Sequence, residues 1–168
     1  MKNKLFIKGL ISFVLAITGG CMAFLNVFDF ALGRTGVNSH EPFSFFTESN
    51  SIAAKKILYT TIGKTYSSTF KLIAGILAMV VIAIAIAYII SIICDKKSPK
   101  LVLVRKILSI ALVVAGVLIA TSLIIYLAQN NVRRVATVYC SVVPAILITA
   151  GPITAGVWGY LFERPNKQ

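Results

Sequence analysis

Acidic residues are scarce in this chain. Five Asp or Glu stand against seventeen Lys or Arg, and charged residues fill only 13% of its 168 positions, about half the share found in soluble domains. With 58% of the sequence apolar, most of it cannot face water. Histidine is limited to His40, which excludes a haem held between two histidines inside a bilayer. The three cysteines, Cys21, Cys94 and Cys140, are too few and too scattered for a disulfide framework or a structural zinc site. No HExxH, GxGxxG or GxxxxGK occurs, so the metalloprotease, dinucleotide and P-loop chemistries lack their usual residues. The basic excess does not gather on a soluble helix as a nucleic-acid-binding module would require. Uncharged apolar runs separate the cations, and the pattern points to lipid instead.

Four such runs are present, at about 5–28, 72–94, 107–128 and 135–162, each long enough to cross a bilayer as a helix. The second, LIAGILAMVVIAIAIAYIISIIC, contains no charge. The first follows Lys2, Lys4 and Lys8 and ends near Gly19, Gly20 and Cys21, an arrangement shared with signal peptides and lipoprotein cleavage sites. Apolar sequence continues past Cys21, and Thr18 occupies the position where a lipoprotein site has an aliphatic residue, so an uncleaved helix is expected. These runs predict an all-α fold, an integral four-helix transmembrane bundle forming one membrane domain.

Cations set the expected orientation. With the amino terminus inside, the inner segments carry ten (Lys2, Lys4, Lys8, Lys96, Lys97, Lys100, Arg105, Lys106, Arg164 and Lys167), and the longer outer segments carry seven. Both termini are therefore expected in the cytoplasm, together with the loop 95–106, where Asp95, Ser98 and Pro99 break the helix. The outer loop 29–70 reads as irregular chain to about Asn50. Beyond it, an amphipathic helix over about 51–70 carries Ile52, Leu58, Ile62 and Tyr66 on its apolar face. Trp158, Tyr160 and Phe162 suit an inner interfacial anchor, and Tyr126 and Tyr139 an outer one.

The spans offer packing surfaces more than chemistry. No ionisable residue lies centrally in any of them, which leaves ion-coupled transport without its usual carboxylate. Gly151, Ala155 and Gly159 recur at steps of four, and Gly116 with Ala120 repeats the spacing in the third span; such stripes let helix backbones approach closely, within the chain or with a partner. Pro144 and Pro152 in the fourth span predict a bend. At the outer end, Asn26, Asp29, Arg133 and Arg134 form a possible polar site, with an interfacial cap or ion pair as the simpler reading. Cys21 and Cys140 fall in the same leaflet, and a bridge between them is geometrically open. His40 beside Glu41 would need a nucleophile or metal to act.

No catalytic set, cofactor site or metal site emerges. The expected role is a non-catalytic tetraspan accessory, assembly or adhesion subunit of a larger membrane complex, with partners among membrane proteins or other copies of itself. The alternative is a small channel or transporter component that forms a pathway as an oligomer, lined by Ser91, Ser109, Thr121, Ser122, Ser141, Thr149 and Thr154. A membrane enzyme or an immunity protein ranks behind both. The long first outer loop and short second one give a topology that resembles claudin-type tetraspans, but the loop lacks the tryptophan and paired cysteines of that family. Use of Lys, Ile and Asn suggests an AT-rich genome and a bacterial plasma membrane.

Overall fold

The computed structural model describes residues 2–32, 41–47, 66–94, 99–130 and 136–162. Four long helices dominate: α1 (Lys2–Cys21), α2 (Thr69–Ile93), α3 (Pro99–Asn130) and α4 (Val142–Phe162). They supply four stretches long and apolar enough to cross a membrane, Phe6–Phe24 (α1 with the turn that follows it), Thr69–Ile93, Lys100–Asn130 and Val142–Leu161. At 1.5 Å per residue, even the shortest reaches about 30 Å. The helices form a closed ring in which α1 packs on α2 and α4, and α3 packs on the same two. Ala16, Ala78, Val81, Ala85, Leu112, Ile119, Ile148 and Ala155 fill the interior, while Ile7, Val14, Ile76, Met79, Val114 and Ile124 point outward.

The fold is not all-α. A three-stranded antiparallel sheet, ordered β2-β1-β3, closes the end of the bundle opposite the chain termini. Its strands are β1 (Phe28–Leu32), β2 (Glu41–Phe43) and β3 (Ala136–Cys140). Phe28 pairs with Phe43 on one side and Cys140 on the other, and Asp29 pairs with Pro42 and Tyr139. Two apolar runs are thus shared between helix and strand. Helix α1 stops at Cys21, passes through a short 3-10 turn at Met22–Phe24 and becomes strand at Phe28. The fourth run begins as β3, whose ATVYC sequence suits a pleated surface, and turns helical only at Val142. Hydropathy alone cannot mark either change.

Other boundaries also moved. Helix α3 starts at Pro99, so Lys100, Arg105 and Lys106 stand in its first turns and not in a loop. Proline suits the first helical position because its missing N–H would be unsatisfied there anyway. Pro144 falls in the first turn of α4, where it breaks nothing, and Pro152 is the proline inside that helix. The amphipathic face at Ile52, Leu58 and Ile62 lies outside the described residues. Tyr66 precedes α2 in chain without regular secondary structure.

Candidate functional site

The sheet end is a small folded head. The ring of Phe28 lies 5.4 Å from that of Phe43, 4.8 Å from Phe45 and 5.3 Å from Tyr126, the last two edge-on. All four side chains are buried, and each such ring pair adds about 0.5–1.5 kcal/mol beyond its burial. Tyr126, expected as an interfacial anchor, is instead the contact through which α3 holds the sheet; Tyr139 remains exposed. The Tyr126 hydroxyl lies 3.0 Å from that of Tyr66. One turn on, Asn130 is 0% exposed. Its Nδ2 donates to the carbonyls of Ser67 (2.8 Å) and Tyr126 (3.0 Å), and its Oδ1 accepts from the Ser67 amide (3.2 Å). The start of α2 is thereby fixed to the end of α3.

Lys71 completes the head. It is one of the seven cations counted in the outer segments, yet it is 1% exposed. Its Nζ donates to the Thr47 carbonyl at 2.6 Å and sits 5.0 Å from the centre of the Phe43 ring. A turn aims that carbonyl: the Ser44 and Thr47 hydroxyls contact each other, and each accepts the other residue's amide. A buried ammonium needs such partners to offset its lost hydration. The one sequence signal for this role was the aromatic trio Phe43, Phe45 and Phe46, without any sign of which cation it would meet.

The expected polar site is only partly in view. Asp29 is half-buried on the central strand, Asn26 is exposed just before it, and Arg133, Arg134 and His40 lie outside the described residues. All three cysteines are free thiols. Burial raises the Cys140 thiol from its ordinary 9.0 to about 11. Among the described residues, no group of three His, Cys, Asp or Glu could hold a metal ion.

The small-residue stripe serves contacts within the chain. A Cβ on Gly151 would stand 3.0 Å from the Leu15 carbonyl of α1, and one on Gly19 would stand 2.6 Å from the Leu147 carbonyl of α4. These two backbones meet because neither residue has a side chain. Ala155 is buried in the same seam, where its carbonyl accepts from Ser12 Oγ at 2.7 Å. Gly159 faces Ser109 and Tyr88, and Gly116 faces Thr149 and Ile153. Ala120 is half-buried between α3 and α4.

Two apolar grooves flank the Gly116 crossing on the outer side of α3 and α4. The larger, about 390 Å³, lies toward the sheet between Ala120, Leu123, Ile124 and Leu127 of α3 and Val142, Ala145 and Ile146 of α4. The smaller, about 220 Å³, opens toward the termini between Ser109, Ile110, Val113 and Val114 and Gly156, Val157, Tyr160 and Leu161. No family model, curated protein or solved structure matches this chain.

Proposed function

We propose that the chain is an integral membrane tetraspan with no catalytic role, acting as an accessory, assembly or adhesion subunit of a larger complex. The observation that carries this reading is the head. Three strands drawn from two separate connections, locked by four buried aromatics and by Lys71, make a rigid platform at one end of the bundle. Rigidity of that kind suits recognition, because a preformed surface loses little entropy on binding. The positive-inside count supports a head on the outer face of the membrane and both termini in the cytoplasm.

A pathway through an oligomer has less behind it. The Thr121, Thr149 and Thr154 hydroxyls donate to carbonyls of their own helices, at 2.9, 2.7 and 2.8 Å, as isolated hydroxyls in apolar helices commonly do. Ser91 bonds to the Tyr88 carbonyl at 2.6 Å. Affinity purification from native membranes in mild detergent, followed by size exclusion and mass spectrometry, tests the proposal. Stoichiometric foreign subunits support it, and their loss in a Phe28→Ala protein that still inserts would assign the contact to the head. A clean homo-oligomer that passes ions or small solutes in liposomes would overturn it.

A further inference from the structure

Asp29 stands where a carboxylate is unfavourable. It belongs to the central strand of the sheet, and aspartate is depleted in strands, whose pleated, half-buried surface suits β-branched and aromatic side chains. Successive residues of a strand point to opposite faces. Phe28 and Phe43 are buried on the face that meets Tyr126, so their neighbours Asp29 and Pro42 belong to the face turned away from the bundle. The register sets Asp29 directly between Pro42 of β2 and Tyr139 of β3. In such cross-strand pairs the Cβ atoms are about 4.5–5.5 Å apart. Pro42 is exposed and Tyr139 is 54% exposed. A row of three thus crosses the outer face, with a ring on each side of a half-buried carboxylate.

Among the described residues, nothing offsets the partial burial of that carboxylate. Asp29 makes no side-chain hydrogen bond or ion pair with them, whereas the head supplies carbonyls to both Lys71 and Asn130. A local preference broken without an internal gain points to a use outside the chain. The row suits an arginine. A guanidinium offers two parallel N–H donors to a carboxylate; it is weakly hydrated and stacks on ring faces, so the flanking rings favour it. A strongly hydrated ammonium would lose water against both rings without comparable contacts. Charge restricts the occupant further. Residues 29–71 and 131–141 hold seven cations against three acids, Asp29, Glu41 and Glu48, so a run of basic residues is repelled and a single arginine in an uncharged or acidic segment is admitted.

Building on the accessory-subunit reading, we infer that the row Pro42, Asp29 and Tyr139 is a docking site for one arginine side chain of a partner protein. The guanidinium pairs with the Asp29 carboxylate and lies against the Tyr139 ring, and Pro42 closes the other side. Phe28, buried on the opposite face of the same strand, holds the carboxylate in place before the partner arrives, so little freedom is lost on binding. The partner is a foreign chain, because a second copy meeting this face symmetrically would bring carboxylate against carboxylate.

The test is a fluorine NMR titration of the full chain in phosphatidylcholine nanodiscs, with 3-fluorotyrosine in place of tyrosine. The Tyr139 signal is assigned by its absence from Tyr139→Phe. Acetyl-Gly-Arg-Gly-amide should shift that signal saturably. The lysine analogue should shift it less, and the citrulline analogue, similar in shape but uncharged, not at all. Asp29→Asn should weaken binding of the arginine peptide about fivefold, the upper range for a surface ion pair, and should leave the thermal midpoint unchanged. Equal shifts from the arginine and citrulline peptides, or undiminished binding to Asp29→Asn, would overturn the site. So would a lowered midpoint in Asp29→Asn that Arg133→Gln or Arg134→Gln reproduces without adding to it, since Asp29 would then belong to an internal ion pair. Loss of self-association in Asp29→Asn would give the face to a second copy and overturn the foreign partner. A failed titration beside stoichiometric co-purifying subunits removes this site alone. A saturable one beside a solute-passing homo-oligomer keeps the arginine site and removes the accessory reading.

Discussion

The same four helices end in two different ways, and the contrast shows how an apolar bundle handles its polar residues. At the sheet end the chain folds back over itself. Lys71 and Asn130 are buried there, and each is met by named carbonyls or amides, with Phe43 supplying a ring face to the lysine. At the terminal end Arg105 is also buried, and its Nη1 donates to the Ser91 carbonyl at 3.4 Å. Ser109 Oγ has no partner among the described residues. One end satisfies its polar groups internally and becomes rigid. The other leaves the Ser109 hydroxyl unmatched among the described residues.

The comparison breaks most sharply if the head is not a unit. Phe28 touches three of its aromatic partners and is 1% exposed, so Phe28→Ala should cost about 3–5 kcal/mol. The loss would be read as a lowered midpoint of thermal unfolding in detergent. The equivalent truncation at the other end, Tyr160→Ala, removes a ring that is 37% exposed and should cost much less. Equal effects would mean that the sheet end is no better consolidated than the terminal end.

A smaller loss, about 1–3 kcal/mol, is expected from Asn130→Leu, which keeps the volume but strips the Ser67 amide and carbonyl of their partners. Hydrogen exchange should then accelerate at 66–70 and stay unchanged in the first turns of α3. Exchange rising equally at both ends would show that Asn130 stabilises the bundle globally and does not latch the head.

Glycine contacts sharpen the picture next. A Cβ on Gly19 meets the Leu147 backbone carbonyl, whereas one on Gly9 meets only the tip of the Ile92 side chain. Gly19→Ala should separate α1 from α4 and cost about 1–3 kcal/mol. Gly9→Ala, near the terminal end, should stay within about 0.5 kcal/mol, because Ile92 can rotate away. A crosslink between α1 and α4 that weakens in the first variant alone would confirm the seam.

Much of the helical scaffold could be read from hydropathy, since runs of twenty or more apolar residues have few other folds. The head could not be read this way, because its strands sit inside two of those runs. Phe28 and Val138 are as apolar as any residue of a span. What makes them strand is pairing across more than a hundred residues, which no local window contains. Lys71 illustrates the second limit: at the edge of an apolar run, a lysine normally marks an interface, and only the fold of the Ser44–Thr47 turn converts it into a buried anchor. The Gly151 stripe was visible from its spacing, but a single sequence could not show that its partner was Gly19.

The smallest effect concerns Cys140, at the end of β3 beside the larger groove. Burial raises its pKa from 9.0 to about 11, so at pH 8 the thiolate fraction should be about a hundredfold below that of a solvated thiol, at tenfold per unit. With Cys21 and Cys94 changed to serine, alkylation of the remaining thiol should be slow and should rise about tenfold per pH unit from 7.5 to 9.5. The same shift enters stability with a definite sign. Between pH 9 and 11 the unfolded chain has lost a proton that the folded chain still holds. The stabilisation from keeping the thiol neutral is therefore full below about pH 9 and disappears as pH rises toward 11. A rate that levels off near pH 9, with no accompanying loss of stability, would show that water reaches β3 and that the sheet is looser at this strand than at Phe28.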